Sequence, residues 1–346
     1  MTTSKTPTVL AVGPLGFPWK TLDPFLFCVH HNDAYPAGNA QMGLDAAQLR
    51  GRRIGQDFSG KDGWSMYHGN PVPGFPQHPH RGFETITIAR RGFIDHTDSM
   101  GAAARFGQGD VQWMTAGNGV VHSEMFPLLN TDKPNTAELF QIWLNLPAED
   151  KRRKAHFTMF WSEEIPTKTF TDSAGKATEL TVIAGAFEGV TPLSPPPASW
   201  ASRPESNVSV WTLKMAPGAT WTAPPTQPGT NRAFYHFVGD VLDIDGHKVP
   251  VGQMAQVKPD ASVTLRAGQA EVTEVLMLQG RPIGEPVVQH GPFVMNSVAE
   301  IHQAIGDYQR TGFGGWPWPQ NAPVHPREQG RFALHGNGER ETPGGA

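Results

Sequence analysis

Gln77-His78-Pro79-His80-Arg81-Gly82-Phe83-Glu84 and, further along, Gly117-Asn118-Gly119-Val120-Val121-His122-Ser123-Glu124 are the stretches on which the reading of this chain turns. Extended backbone sends residues i and i+2 to one face. On strands, His78 and His80 therefore project together, and so do His122 and Glu124. If no bulge intervenes, Glu84 keeps the parity of the first pair. The Gly-rich turn before His122 can bring the second stretch beside the first. A His-x-His pair alone is weak evidence, since two partly exposed histidines read the same way. Both stretches together are more specific. Three neutral imidazoles and a carboxylate suit Fe, Mn, Ni, Cu or Zn. Four protein donors on an octahedral ion leave positions open, which implies substrate or O2 binding and not a purely structural ion.

The surroundings of these stretches are rich in strand signals. Phe83 to Ile88 alternates apolar and polar residues, turns at Arg91-Gly92 and continues through Phe93-Ile94-Asp95-His96. Leu139 to Leu144, Val208 to Leu213 and Val272 to Leu278 are further β-branched and aromatic runs. The chain holds 38 Gly and 32 Pro, well above usual usage and without a short period. Many short strands joined by tight turns explain this, which predicts barrels or sandwiches. Helical periodicity is scarce. Ser297-Val298-Ala299-Glu300 matches a capping box, with Val298, Ile301, Ile305 and Tyr308 on one face and Gly312 near the end. Asp45 to Arg50 is a weaker helical stretch, no more than a turn.

A faint repeat is present. Phe83 to His96 reads strand, Gly turn, strand, and Phe234 to Gly246 reads the same way. Gly109-Asp110-Val111 follows the first copy and Gly252-Gln253-Met254 the second. Two copies of one β-barrel unit suit 346 residues. The boundary falls between Asp150 and Gly189, and the division expected is 1–160 and 161–346. Pro192 to Pro204 reads as a surface loop of the second half. The tail from Gly314 is either partly disordered or wrapped on the first domain.

Composition excludes several classes. The net charge is −4, and Lys151-Arg152-Arg153-Lys154 is the one dense basic cluster, read as a solvated patch. Direct nucleic-acid binding would want a broader basic face. The single cysteine, Cys28, rules out an internal disulfide framework and suits a reducing compartment. No charged and apolar leader is read at the start, and no run approaches the ~20 apolar residues of a membrane span. A cytoplasmic protein is expected.

The residues resemble the cupin superfamily. HPHRGFET (78–85) followed by GDVQWMTAGNGVVHSEM (109–125) is similar to the signature of the pirin family. The likeness extends to Leu139–Leu146, Gly280–Val287 and Gly291–Asn296. It implies an all-β protein of two cupin-type jelly-roll barrels in tandem, with a few short helices. It implies one metal, Fe(II) foremost, in the N-terminal barrel on His78, His80, His122 and Glu124. The C-terminal barrel is expected to be metal-free. Aligning Phe234 with Phe83 puts Gly229 and Asn231 at the positions of His78 and His80. Glu84 stands where many other cupins place their carboxylate ligand, so it is kept as a supporting acid or reserve ligand.

The resemblance also implies an activity, quercetin 2,3-dioxygenase-type ring cleavage of a flavonol by O2. Glu124 would take the proton of the flavonol 3-hydroxyl, and ring opening would release carbon monoxide and a depside. The alternative is a non-enzymatic, iron-dependent redox sensor that binds a transcription factor or metabolic enzyme. A sugar-phosphate isomerase is a third cupin option without a visible phosphate cradle. Around the motifs, Gln141 has the parity to orient a ligand or to bond backbone, and Arg81 either pairs with a carboxylate or is solvated. Trp113 and Met114 are expected in the core. His30, His31, His325 and His335 lack ligand spacing, and Cys28, between Phe27 and Val29, reads as a buried inert thiol.

Overall fold

The computed structural model describes residues 7–345. The start of the chain, where a leader would stand, and Ala346 lie outside the described residues. The described residues are all-β apart from one α-helix and short 3-10 turns. It divides into two compact units. One is Val29–Glu164 together with the chain from Glu285 onward. The other is the chain up to Cys28 together with Ile165–Gly284.

This grouping differs from the linear division into 1–160 and 161–346. The chain ends are exchanged between the halves because each supplies strands to the other's sheets. Val9–Pro14 pairs antiparallel with Gln253–Val257. Phe332–Leu334 pairs antiparallel with Ala103–Gly107. In this grouping the helix and tail fall in the unit that carries the His motifs.

Within that unit, one sheet runs in the order His156–Phe160, Val111–Thr115, Phe83–Arg91, Asn135–Asn145, Phe25–Tyr35. The other runs Arg340–Glu341, Phe332–Leu334, Ala103–Gly107, Phe93–Asp98, Val120–Met125, Gly74–His80. Apolar residues of both sheets, among them Ile94, Phe106, Met114, Leu139 and Phe157, build one core. Trp113 and Met114 are fully buried, as their sequence context requires.

The second unit repeats the design. A seven-stranded sheet contains Asn231–Val238 beside its central strand Thr273–Gly280, and a four-stranded sheet contains Val241–Ile244. These two strands and the Gly239 turn correspond to Phe83–Arg91, Gly92 and Phe93–Asp98 of the first copy. Its core gathers Leu180, Trp211, Phe234, Leu242 and Met277.

The helix spans Val298–Thr311 with Ser297 as N-cap. The Ser297 hydroxyl accepts from Glu300 N at 3.3 Å, and Glu300 accepts from Asn296 N at 3.2 Å. Ile301 is buried against Phe293 and Met295, with Ile305 and Tyr308 packed beside it. Val298, expected on that face, is 59% exposed. Asp45–Arg50 forms turns only. Among the described residues, no helix is long and apolar enough to cross a membrane.

Candidate metal centre

A β-bulge sets the geometry. Gly74–His80 pairs antiparallel with Val120–Met125, and the register slips between Phe75 and His78. Phe75 stands opposite Glu124, while His78 stands opposite His122. Two residues, Pro76 and Gln77, thus oppose Ser123 alone. Pro76 donates no N–H, which suits a place where pairing is interrupted. The bulge rotates His78 onto the face that His80 and His122 share.

The result is a tight group of imidazoles. The ligand atoms of His78, His80 and His122 all lie within 4.8 Å of one another. Their ring centroids are 4.7, 4.4 and 4.8 Å apart in pairs. His78 Nδ1 lies 2.9 Å from the Pro76 carbonyl. A carbonyl only accepts, so the proton sits on Nδ1 and Nε2 offers its lone pair. Both ring nitrogens of His122 and Nδ1 of His80 are buried without a hydrogen-bond partner among the described residues. Buried polar atoms left so are costly unless something else satisfies them. A divalent transition metal fits that requirement and that donor set.

The electrostatics agree. Burial lowers the His78 pKa to about 4. Burial, reinforced by the neighbouring imidazoles, holds His80 and His122 well below the usual value. All three are therefore neutral near pH 7, the form that ligates. Glu124 is buried beside them, its Oε2 3.7 Å from His122 Nε2. With His122 neutral, this approach is no ion pair. Burial raises the Glu124 pKa, and the Gln141 amide works against that. Gln141 Nε2 donates to both carboxylate oxygens, at 3.2 and 2.9 Å. Of the two readings for Gln141, the structure selects the orienting one.

Glu84 is placed differently. Gly82, at φ +88°, turns the chain out of one sheet and into the other, so the parity between His80 and Glu84 is broken. A Cβ at Gly82 would meet the Val294 carbonyl at 2.0 Å, so only glycine fits this corner. Glu84 is fully buried and accepts the Thr115 hydroxyl at 2.5 Å. It lies outside the imidazole group.

Two residues near the centre are not among those the sequence motifs single out. His96 is fully buried, stands opposite Glu124 in the register, and its ring lies 5.5 Å from that of His122. Its Nε2 is 3.2 Å from Asp98 Oδ2. The parity of Phe93–His96 contains that signal, since a strand beside Val120–Met125 shares its faces. Lys151 belongs to the basic run expected to be a solvated patch, but it is buried. Its ammonium donates to Gly82 O at 2.7 Å, Asn145 Oδ1 at 2.6 Å and Val294 O at 3.2 Å. Three acceptors fix the side chain in place, while burial lowers its pKa. Arg81 takes the first of its two readings and pairs with Asp307 at 2.8 Å. His31 is buried against Tyr67 and Phe75, His30 bonds Glu138, and Cys28 is a buried free thiol.

The comparisons with known proteins converge on one family. The Pirin family model matches residues 46–144, and the model for the pirin C-terminal cupin domain matches 210–314. The chain belongs to the pirin family. A Vibrio cholerae protein provisionally named quercetin 2,3-dioxygenase is 38% identical over 242 residues, which are 70% of this chain and 80% of that protein. Human pirin is 33% identical over 252 residues, 72% of this chain and 80% of its own. Among solved structures, a quercetin 2,3-dioxygenase from Acinetobacter baumannii superposes with a TM-score of 0.66 at 28% identity, covering 85% of this chain and 87% of that one. The fold is thus two tandem cupin domains, as the pirin-type motifs imply.

Proposed function

We propose that this pirin-family chain is a metal-dependent dioxygenase that opens the ring of a flavonol-like substrate with O2, with His78, His80, His122 and Glu124 as the metal ligands. The observation that carries the reading is the three-imidazole group with a buried carboxylate held beside it by Gln141. The provisional name of the Vibrio relative and the activity for which the Acinetobacter protein is named support the reaction class. A bound divalent ion, Fe(II) foremost, would bring the flavonol oxygen and O2 together and mediate electron exchange between them.

The chain's own residues supply the rest. Glu124 is the proton acceptor for the flavonol 3-hydroxyl, since burial raises its affinity for a proton and Gln141 fixes its orientation. A flat aromatic substrate has flat partners available. Trp143 stacks on Phe83 at 3.8 Å and faces the His80 ring edge-on at 5.2 Å. Phe75 lies 6.3 Å from the His78 ring, and beyond it Phe58 is 48% exposed. Flavonol and O2 together balance as depside plus carbon monoxide.

The test is anaerobic loading with Fe(II), then quercetin and O2, with the flavonol absorbance, carbon monoxide and bound iron followed together. Loss of the flavonol band with carbon monoxide release, in proportion to bound iron, is the expected result. Stoichiometric iron without turnover refutes the dioxygenase reading and favours iron-dependent sensing.

A further inference from the structure

The second unit contains a cavity of about 490 Å³ that the metal chemistry does not use. It falls within the ~300–1,000 Å³ of small-molecule sites. Phe187 and Trp211 give it aromatic walls, and Pro192 and Pro195 of the proline-rich loop border it. Arg232 and Gln279 also line it.

Arg232 is only 2% exposed, yet no carboxylate pairs with it among the described residues. Its Nε donates to Gln279 Oε1 at 2.7 Å and its Nη1 to the Pro224 carbonyl at 2.7 Å. Both acceptors are neutral, and Nη2 has no acceptor among the described residues. Buried charges are normally paired, because leaving water costs them heavily. Burial alone accordingly lowers the Arg232 pKa to about 10. The acidic side chain on the cavity wall, Glu188, lies 3.4 Å from Lys168 instead.

The remaining polar groups are held in place. Gln279 Nε2 donates to Asn207 O at 3.1 Å and Ser209 Oγ at 3.2 Å, which fixes its carbonyl toward Arg232. Asn207 Nδ2 donates to Thr226 Oγ1 at 2.6 Å. The geometry points to a ligand-binding site in this cavity for a small organic carboxylate with a flat apolar body, its anion on Arg232 and its body against Leu193, Pro195 and the wall that Phe187 and Trp211 form by packing edge-on at 5.1 Å. A second guanidinium, Arg203, lines the cavity and lies over the Trp200 ring at 5.4 Å, and the apolar walls favour this ligand over inorganic phosphate, which would want none.

The probe is 4-fluorobenzoate, titrated into the metal-loaded full chain and followed by fluorine NMR. Saturable binding is expected. The neutral isostere 4-fluorobenzamide should bind about ten to a hundred times more weakly, the worth of a hydrogen bond to a charged group. Arg232→Met should lose benzoate by a similar factor. Thr226→Trp, which fills the cavity and removes the acceptor of the Asn207 amide, should abolish binding while iron content stays normal. His80→Ala, which removes the metal in the other unit, should leave binding intact. Equal affinity for benzoate and benzamide overturns the anion site without any variant. Binding lost in His80→Ala but kept in Thr226→Trp assigns it to the metal centre and overturns the proposal. Displacement by inorganic phosphate at equal concentration overturns the carboxylate class, and no binding at all overturns the site.

Discussion

Gln141 donates its side-chain amide to both oxygens of Glu124, at 3.2 and 2.9 Å, and so holds that carboxylate beside His122. A ligand or base held this way depends on its support. Gln141→Leu should keep the fold and reduce metal affinity or turnover by about ten- to a hundredfold, the usual cost of losing such a supporting group. Iron content after dialysis and kcat on quercetin check it. Wild-type values for both would show that Glu124 needs no positioning.

The ligand set makes a ranking. His80→Ala should abolish stoichiometric metal. Adding Fe(II) should raise the melting temperature of wild type but not of this variant, because a ligand that binds only the folded state stabilises it by mass action. Glu124→Gln should retain part of the metal and lose turnover. Glu84→Gln should affect turnover less than Glu124→Gln, since Glu84 bonds Thr115 away from the imidazoles. The reverse order would mean that the wrong carboxylate has been assigned.

The aromatic path makes a separate claim about substrate. Phe75 stacks on Tyr67 at 5.1 Å and lies between the exposed Phe58 and His78. Phe75→Ala should raise KM for the flavonol by about tenfold, the value of one good aromatic contact, with iron content unchanged. An unchanged KM would place the substrate elsewhere.

How much of this is legible in the sequence depends on the range of each interaction. The His-x-His and His-x-Glu spacings put the donors on shared faces by local geometry alone, so the imidazole group can be read directly. The slip at Pro76-Gln77 cannot, because a bulge is defined by a partner strand. Parity ties Glu84 to His80, and the Gly82 corner breaks that link. Lys151 sits in a basic run that looks solvated, and its burial depends on Val294, far along the chain. The exchange of chain ends has the same origin, since Val9–Pro14 finds its partner at Gln253–Val257.

Lys151 carries a pH signature. Burial lowers its pKa from 10.5 to about 8. Between these values the unfolded chain binds more protons than the folded one, so this group's contribution to stability rises with pH. The contribution is fully present above 10.5 and is lost as pH falls through about 8. Lys151→Met should cost about 2–4 kcal/mol by stranding buried acceptors. The stability gap between wild type and variant should widen from pH 8 to pH 10 in urea melts. A constant gap would mean that Lys151 titrates normally.

The tail is tied to the metal unit through a buried ion pair, which makes it part of the fold. Arg105 and Asp95 are both fully buried and bonded at 2.7 Å. The remaining donors of Arg105 go to tail carbonyls, His325 O at 2.9 Å and Pro326 O and Gln329 O at 2.8 Å. Asp95 in turn accepts from His325 N at 2.8 Å. Trp318 Nε1 donates at 2.8 Å to the carbonyl of Asp98, which stands opposite His122. Removing one partner of a buried pair strands the other, so Arg105→Met should cost about 3–5 kcal/mol. Deleting residues 316–346 removes the acceptors instead, and should lower both the melting temperature and the iron affinity, because the His122 neighbour loses its anchor. The two changes act on one network, so the double variant should be less destabilised than the sum of the singles. Additive losses would show that the tail and the ion pair act independently, and a truncated chain with full iron affinity would separate the tail from the metal centre.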